Sequence, residues 1–215
     1  MVNLINFFRS VYFNFRFLSF KDAVHLPIKI QNKVKIDKLK RKQIEIVSPK
    51  YKQIILGGGK SPGMHASFVV LSIDKGSSLV FKGKAIISEG CVLRCNTNSN
   101  IEFGKNFYCN CNCYFRSASK ISIGNDCIFG WNVIINTTDG HFLYHDNILK
   151  RNEGPVFIGN HVWVTSECII NKNVKIGNNN VVAQRSVLNK SYESENCLIA
   201  GTPAKVVVNN IKWVR

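Results

Sequence analysis

The chain of 215 residues is long enough for one domain with a small appendage. It carries 29 Lys and Arg against 13 Asp and Glu, a net charge of +16. No zinc-finger spacing or recognition-helix pattern accompanies this charge, which argues against a nucleic-acid partner and leaves an anionic membrane surface or a phosphorylated ligand. Residues 1–60 hold 13 of the basic and 3 of the acidic residues, so most of the excess is N-terminal.

The N-terminus shows no export signal and no membrane-spanning segment. Arg9 and Arg16 interrupt its apolar residues, no small-residue cleavage pattern follows, and the chain contains no apolar run of 18 residues. We therefore expect a cytoplasmic protein, with residues 1–42 as a candidate peripheral contact to the anionic inner face of the cell membrane.

Residues 3–18 have the apolar spacing of an amphipathic helix. Its apolar face consists of Leu4, Phe7, Phe8, Val11, Tyr12, Phe15 and Leu18. Capping of the fold or packing against another subunit is the preferred interpretation of this face, and contact with a membrane is the alternative. Residues 28–47 alternate loosely and predict short strands. The chain thus divides into residues 1–70 (helix, basic segment and irregular first coils), a repeat domain at 71–207 and a tail at 208–215.

A six-residue apolar repeat fills the domain at 71–207, and six is the period of neither a helix nor an ordinary strand. Each repeating position has an apolar companion two residues earlier, so two side chains of an extended segment share one face. Every insertion falls after a third unit, so three units close one coil of a triangular parallel β-helix. The repeating positions are Phe81, Ile87, Leu93, Phe103, Cys109, Phe115, Ile123, Phe129, Ile135, Ile158, Val164, Ile170, Ile176, Val182 and Leu188.

The predicted corners hold residue types that tolerate sharp turns. The clearest corners are Gly104-Lys105-Asn106, Gly124-Asn125-Asp126, Gly159-Asn160-His161 and Gly177-Asn178-Asn179. Eight cysteines are present, and five fall at inward positions that suit a small buried hydrophobe: Cys91, Cys109, Cys113, Cys127 and Cys168. Alternation sends Cys111 to the opposite face, so we predict packing in a reduced protein rather than a metal chelate.

Residues 158–164, 174–179 and 200–206 read IGNHVWV, VKIGNN and AGTPAKV. At these spacings they resemble the hexapeptide-repeat acyltransferases, the left-handed β-helix superfamily, and within it the sugar O-acetyltransferases of capsule and lipopolysaccharide clusters. The resemblance implies an all-β, left-handed parallel β-helix and a homotrimer with active sites shared between subunits. It also implies acetyl-CoA-dependent O-acetyl transfer to a saccharide in bacterial surface polysaccharide biosynthesis, with no metal.

An extended loop at about 136–155 is the longest interruption of the coil, and long loops on rigid scaffolds concentrate function. The enzymes that this segment resembles draw their catalytic histidine from an Asp-x-His at this place, which implies His141 as catalytic residue with Asp139. Histidine titrates near neutrality, so His141 suits a general base that takes the proton of a sugar hydroxyl. Asp139 would orient the imidazole or bind an acceptor hydroxyl, Trp131 would stack on a sugar ring, and a backbone amide would stabilise the oxyanion.

The resemblance places coenzyme A along the coils that follow the loop. The positions that match are Trp163 and Ser166 in a Val-Trp-Ile-Gly-Ser-like segment, Lys190 and Lys205 near the phosphates of the coenzyme, and Gly201 and Pro203 in the closing turn. Gln184 and Arg185 stand where the family usually has Ala-Gly along the pantetheine path. Arg185 would reach a phosphate instead.

Two rival functions use other features of the chain. A zinc-dependent hydratase of the γ-carbonic-anhydrase type needs three histidines, and His141, His145 and His161 are sufficient in number but lack that family's spacing. A non-catalytic, membrane-associated β-helix scaffold would use only the basic, aromatic N-terminus.

Overall fold

The computed structural model describes residues 2–31, 34–59 and 67–215. Helix α1 spans Val2–Phe17 and helix α2 spans Phe20–Ala23; short strands supply nearly all of the remaining regular structure in the described part of the chain. No helix among these residues is both long enough and apolar enough to cross a membrane.

Most strands belong to three sheets whose hydrogen-bonded neighbours run parallel, with one antiparallel pair at the end of the first. Sheet A contains, in order, β1 (Ile28–Ile30), β4 (Ile54–Leu56), β7 (Ala85–Ile87), β10 (Phe107–Cys109), β13 (Ile128–Phe129), β18 (Trp163–Val164), β21 (Val181–Val182), β23 (Leu198–Gly201) and the antiparallel β24 (Ala204–Val208). Sheet B contains β2 (Val34–Lys38), β5 (Val69–Ile73), β8 (Val92–Cys95), β11 (Tyr114–Ser117), β14 (Ile134–Asn136), β19 (Ile169–Asn171) and β22 (Val187–Leu188). Sheet C contains β3 (Ile44–Ile46), β6 (Ser78–Phe81), β9 (Asn100–Phe103), β12 (Lys120–Ile123), β17 (Val156–Ile158) and β20 (Lys175–Ile176).

The chain visits the three sheets in turn, so each coil contributes one strand to each side of a triangle. Strand pairing confirms the predicted six-residue register. In sheet B, Phe115 is paired with Ile135. Ile135 is in turn paired with Ile170, and Ile170 with Leu188. All four side chains are fully buried, so the predicted inward column exists as one continuous stack.

Phenylalanine rings fill the middle of the coil. Phe81 and Phe103, which are paired across sheet C, stack with ring centroids 5.2 Å apart. Phe115 and Phe129 stack at 6.0 Å, and Phe107 lies edge-on to Phe129 at 5.2 Å. Offset and edge-on ring contacts of this kind add to the stabilisation from burial alone.

The corners adopt the predicted turns, and the third residue of each has a positive φ. The values are 56° at Asn106, 58° at Asp126, 51° at His161 and 59° at Asn179. The first residue of a corner is glycine because the coils approach closely there. A Cβ on Gly124 would stand 2.4 Å from the carbonyl oxygen of the glycine in the next coil.

Asparagine side chains tie the same corner together from coil to coil. The Asn125 Oδ1 atom accepts the Lys105 amide at 2.8 Å, and the Asn160 Oδ1 atom accepts the Asn125 amide at 2.8 Å. Asn178 repeats the contact to the Asn160 amide at 2.7 Å. These bonds satisfy backbone donors that the turn removes from the sheet ladder.

The extended loop leaves the coil after β14 and returns at β17, as predicted. It contains an exposed antiparallel hairpin of β15 (Leu143–His145) and β16 (Ile148–Lys150). Because β14 lies in sheet B and β17 in sheet C, the loop projects from the corner between these two sheets.

The N-terminal helix is confirmed and it covers the open end of the coil, but it does so with a different face from the apolar one expected. Most of the apolar face is exposed: Leu4, Phe7, Phe8, Tyr12 and Phe15 are each 39% exposed or more. The opposite side of α1 faces the coil with the buried residues Asn6, Ser10, Phe13, Asn14 and Phe17.

The polar residues of that buried side satisfy the open edge of β1. Asn14 donates from Nδ2 to the Ile28 carbonyl at 2.7 Å and accepts the Ile28 amide on Oδ1 at 3.0 Å. Ser10 Oγ accepts the Ile30 amide at 2.9 Å, and Asn6 Nδ2 donates to the Gln31 carbonyl at 2.7 Å. The helix side chains thus replace the missing neighbouring strand, which explains why a polar face is buried.

We expect Asn14→Ala to lower the free energy of unfolding by roughly 2–4 kcal/mol, because the amide and carbonyl of Ile28 lose their partners in a buried place. Phe8→Ala, on the exposed face of the same helix, is the matched control and should change stability by about 0.5 kcal/mol or less. Urea unfolding followed by circular dichroism measures both. A larger loss for Phe8→Ala than for Asn14→Ala would contradict the observed orientation of α1.

Candidate functional site

A groove of about 540 Å³ runs along the outer face of sheet A, beside its corner with sheet B. Trp131, Trp163, Ser166 and Gln184, all singled out from the sequence, line it together with Tyr108. The two indoles are about 40% exposed, whereas Ser166 is buried. Burial raises the pKa of the Tyr108 phenol, so its hydroxyl remains a proton donor at neutral pH.

Four more predicted residues continue the same corner towards the C-terminal end of the coil. Arg185 pairs with Glu167 at 2.5 Å between Nε and Oε2, so its guanidinium is held along the corner. Thr202 Oγ1 donates to the Arg185 carbonyl, and the Gly201 amide donates to Ser186. Gly201 thus ends β23, Pro203 lies in the turn between β23 and β24 above this corner, and Lys205 follows in β24.

His141 and Asp139 lie in the extended loop, at the other edge of sheet B. Both side chains are exposed, and His141 makes no hydrogen bond to any described residue. The Asp139 carboxylate is bound by the Lys172 ammonium rather than by the imidazole. Lys172 was missed by sequence reasoning, because it lies 33 residues away and becomes a neighbour only through the pairing of β14 with β19.

Each chain therefore carries the two halves of the predicted site on different corners. The groove lies where sheet A meets sheet B, and the His141 loop leaves where sheet B meets sheet C. Lys190, between β22 and the bridge that joins Tyr192 to sheet C, is on the loop's corner and not beside the groove. His141 is not among the residues that line the groove.

The cysteines pack as predicted, with one additional grouping. None of the eight cysteines, all of which lie in the described part of the chain, forms a disulfide, and all eight are buried. Among the described residues, Cys91, Cys109 and Cys113 form the one cluster of three potential metal ligands, with sulfur atoms within 4.8 Å of one another. Cys91 and Cys113 point their thiols at backbone carbonyls, at 3.2 and 3.1 Å, and burial raises the pKa of Cys109. Buried thiols that contact backbone carbonyls fit a packing role.

No protein-family model matches the chain. Galactoside O-acetyltransferase of Escherichia coli strain K12 is 32% identical over 143 residues, which are 63% of this chain and 68% of that enzyme. The chain belongs to the hexapeptide-repeat acetyltransferases. Polysialic acid O-acetyltransferase of Escherichia coli O1:K1 is 34% identical over 98 residues, 45% of this chain and 32% of that protein. The chain spans about half the length of several further putative acetyltransferases that it matches.

The solved structure of the polySia-specific acetyltransferase NeuO has the same fold as this acetyltransferase. The TM-score is 0.54 at 19% identity, over 88% of this chain and 89% of that one. The coil is thus the left-handed parallel β-helix of the family.

Membership in the acetyltransferases sets aside the scaffold interpretation, because the relatives are enzymes. The three histidines of the zinc alternative do not meet within the described chain. His145 pairs with Asp146 in the loop hairpin, whereas the His161 ring stacks on Trp213 of the tail at a centroid distance of 3.9 Å. The loop that carries His141 and His145 leaves one corner of the coil, and His161 lies at another corner.

Proposed function

We propose that this protein transfers the acetyl group of acetyl-CoA to a hydroxyl group of a saccharide, in bacterial surface polysaccharide biosynthesis. The match to galactoside O-acetyltransferase carries this proposal. The polysialic acid O-acetyltransferase adds a second relative that is named for a saccharide acceptor. An exposed histidine at the start of a long loop and a groove with two half-exposed tryptophans supply places for the acceptor and the donor.

His141 is the general base of this proposal. Its imidazole removes the proton from the acceptor hydroxyl while that oxygen attacks the thioester carbon, and the carbon–sulfur bond then breaks. The protonated imidazole returns the proton to the departing thiolate, so the base is regenerated. Asp139, held by Lys172, fixes the start of the loop, and a backbone amide stabilises the oxyanion.

The donor lies along the groove and the corner above it. Trp163 and Trp131 offer flat apolar surfaces to the coenzyme and the sugar, and Ser166 and Gln184 offer hydrogen bonds. Arg185, Gly201, Pro203 and Lys205 continue this path, and Arg185 and Lys205 supply positive charge for phosphates. Lys190 would reach the donor from the loop side of another subunit.

We expect His141→Asn to slow acetyl transfer by roughly 10²–10⁴-fold, because the amide of the variant cannot accept the proton of the acceptor hydroxyl. Donor affinity should be unchanged, because the groove is untouched. His145→Asn, in the exposed hairpin of the same loop, is the matched control. Thiol release from acetyl-CoA against a panel of free and nucleotide-linked sugars gives the rates, and calorimetry gives the donor affinity. Normal turnover by the His141 variant would refute the mechanism.

The placement of the two halves supports our proposal of a homotrimer with shared sites. The loop and the groove lie on different corners of one coil, so a complete site needs the loop of one subunit beside the groove of another. A rotationally symmetric ring of three subunits brings unlike corners together at each interface.

Co-expression of two inactive variants tests this arrangement. His141→Asn removes the base, and Ala183→Trp fills the groove. In a random mixture, about one quarter of the interfaces would combine an intact loop with an intact groove, so activity should return to about that fraction. The separately purified variants, mixed without subunit exchange, are the control. A co-expressed mixture that stays inactive would show that each chain builds its own site.

The exposed face of α1 is proposed to lie on an anionic membrane. Its outward residues are Leu4, Ile5, Phe7, Phe8, Tyr12 and Phe15. Arg9 and Arg16 follow Ile5 and Tyr12 by four residues and so border this face. Phe7 also lines one cavity together with Tyr51 and Lys52, which brings further positive charge close to the apolar face. An apolar helix face with basic edges is typical of helices that lie in the lipid interface.

We expect the wild type to sediment with phosphatidylcholine vesicles that contain phosphatidylglycerol, and less so as salt is raised. A Phe8→Asp, Tyr12→Asp double variant should lose this binding and remain folded. Val214→Asp, at an equally exposed apolar residue of the tail, is the control and should keep it. If the wild type does not sediment with such vesicles and the double variant forms a smaller oligomer than the wild type, the exposed face packs against a second copy of the chain. That result would contradict membrane contact.

A further inference from the structure

The outer face of sheet B carries a row of positive and polar side chains between the groove and the His141 loop. Arg94 of β8 is paired with Arg116 of β11, and Arg116 with Asn136 of β14. These residues alternate with buried ones, so their side chains point outward. Like charges opposite each other on neighbouring strands repel. Neither arginine belongs to an ion pair within the described part of the chain.

Arg116 extends along this face to the base of the loop. Its Nη1 and Nη2 atoms lie 3.7 and 3.8 Å from the point where a Cβ on Gly140 would stand. Gly140, with a φ of 84°, immediately precedes His141. The guanidinium is therefore next to the backbone of the residue before the proposed base, where an acceptor sugar would have to sit.

Two polar atoms at this place are buried without a hydrogen bond to any described residue. They are Nε of Arg116, a donor, and Oδ1 of Asn136, an acceptor. Buried polar atoms in folded proteins nearly always have a partner, so a donor and an acceptor on two paired residues require one that the described chain does not supply. The nearby Lys172 is neutralised by Asp139, which leaves Arg116 as the cation at the base of the loop with no acidic partner among the described residues.

The chemistry of these atoms indicates a carboxylate. A guanidinium presents a planar fork of donors that matches a carboxylate in two parallel hydrogen bonds, and it is never deprotonated. The ligand must also offer a hydroxyl to His141 and a hydroxyl or amide hydrogen to Asn136. We propose that Arg116 binds the carboxylate of an acidic sugar, such as a sialic or uronic acid, and so selects acidic over neutral acceptors. This inference rests on the proposed function.

Acceptors matched in their hydroxyl groups, with and without a free carboxylate, test the selectivity. N-acetylneuraminic acid is compared with its methyl ester, and methyl glucuronide with its methyl ester, by thiol release from acetyl-CoA. The wild type should prefer the acidic member of each pair. Arg116→Gln should lose about 10- to 100-fold in kcat/KM for the acid and little for the neutral partner. For Arg116→Lys, which keeps the charge but not the planar fork of donors, we expect a kcat/KM for the acid between those of the wild type and Arg116→Gln.

Lys84→Gln, which removes one positive charge from a remote exposed position, is the control and should keep the preference. Equal use of acid and ester by the wild type would overturn the inference while leaving the proposed function intact. The same holds if the preference is unchanged in Arg116→Gln.

A binding measurement separates this inference from the proposed catalysis. Saturation-transfer NMR with N-acetylneuraminic acid and its ester is done on the His141→Asn protein, which holds the sugar without turnover. Preferential contact with the acid, lost when Arg116→Gln is added, supports the inference even if no acceptor is acetylated by the wild type. Absence of that preference overturns it.

Discussion

Hydrogen bonding between successive parallel coils is the constraint on which this molecule depends. Because each coil pairs in register with the next, the residues above and below a given residue point to the same face of the coil. Ile170 lies between Ile135 and Leu188 in one inward column. At one corner, the side chain of Asn160 accepts the backbone amide of Asn125, and that of Asn178 accepts the backbone amide of Asn160. A substitution at one position is therefore felt by the coils on both sides. The rows of outward side chains, Arg94 and Arg116 included, are products of the same pairing.

The coil was predictable from the sequence because its determinants are local and repeat. A six-residue period, a companion two residues earlier and a turn-tolerant residue at each corner describe one unit, and the neighbouring units confirm it. Asn106 and Asp126 are read as corner residues without knowledge of any contact, and both have the positive φ that the turn requires. The extended loop was visible for the same reason, since it breaks a period that the rest of the domain keeps.

The orientation of α1 could not be predicted, because it depends on hydrogen bonds to β1, a strand that lies elsewhere in the chain. An amphipathic pattern normally buries its apolar face. Here the open edge of β1 presents unpaired amides and carbonyls, and only the row formed by Asn6, Ser10 and Asn14 can satisfy them. The positions of Lys172 and Arg116 beside the loop could not be predicted for a related reason. Each joins the loop through pairing between strands that are 20 or more residues apart, and no local spacing marks them.

The polar cap on β1 also bears on whether copies of this chain can polymerise. A parallel coil with two open ends is a template on which another copy could continue the winding without limit. At the first end of sheet A, Asn14 occupies the backbone groups of Ile28 that an incoming strand would need. At the last end, β24 turns back antiparallel on β23, so the edge it offers runs against the direction of every coil strand. Addition of a further copy along sheet A is therefore blocked at β1. At β24, an added strand would meet an edge that runs antiparallel to the strands of the coil.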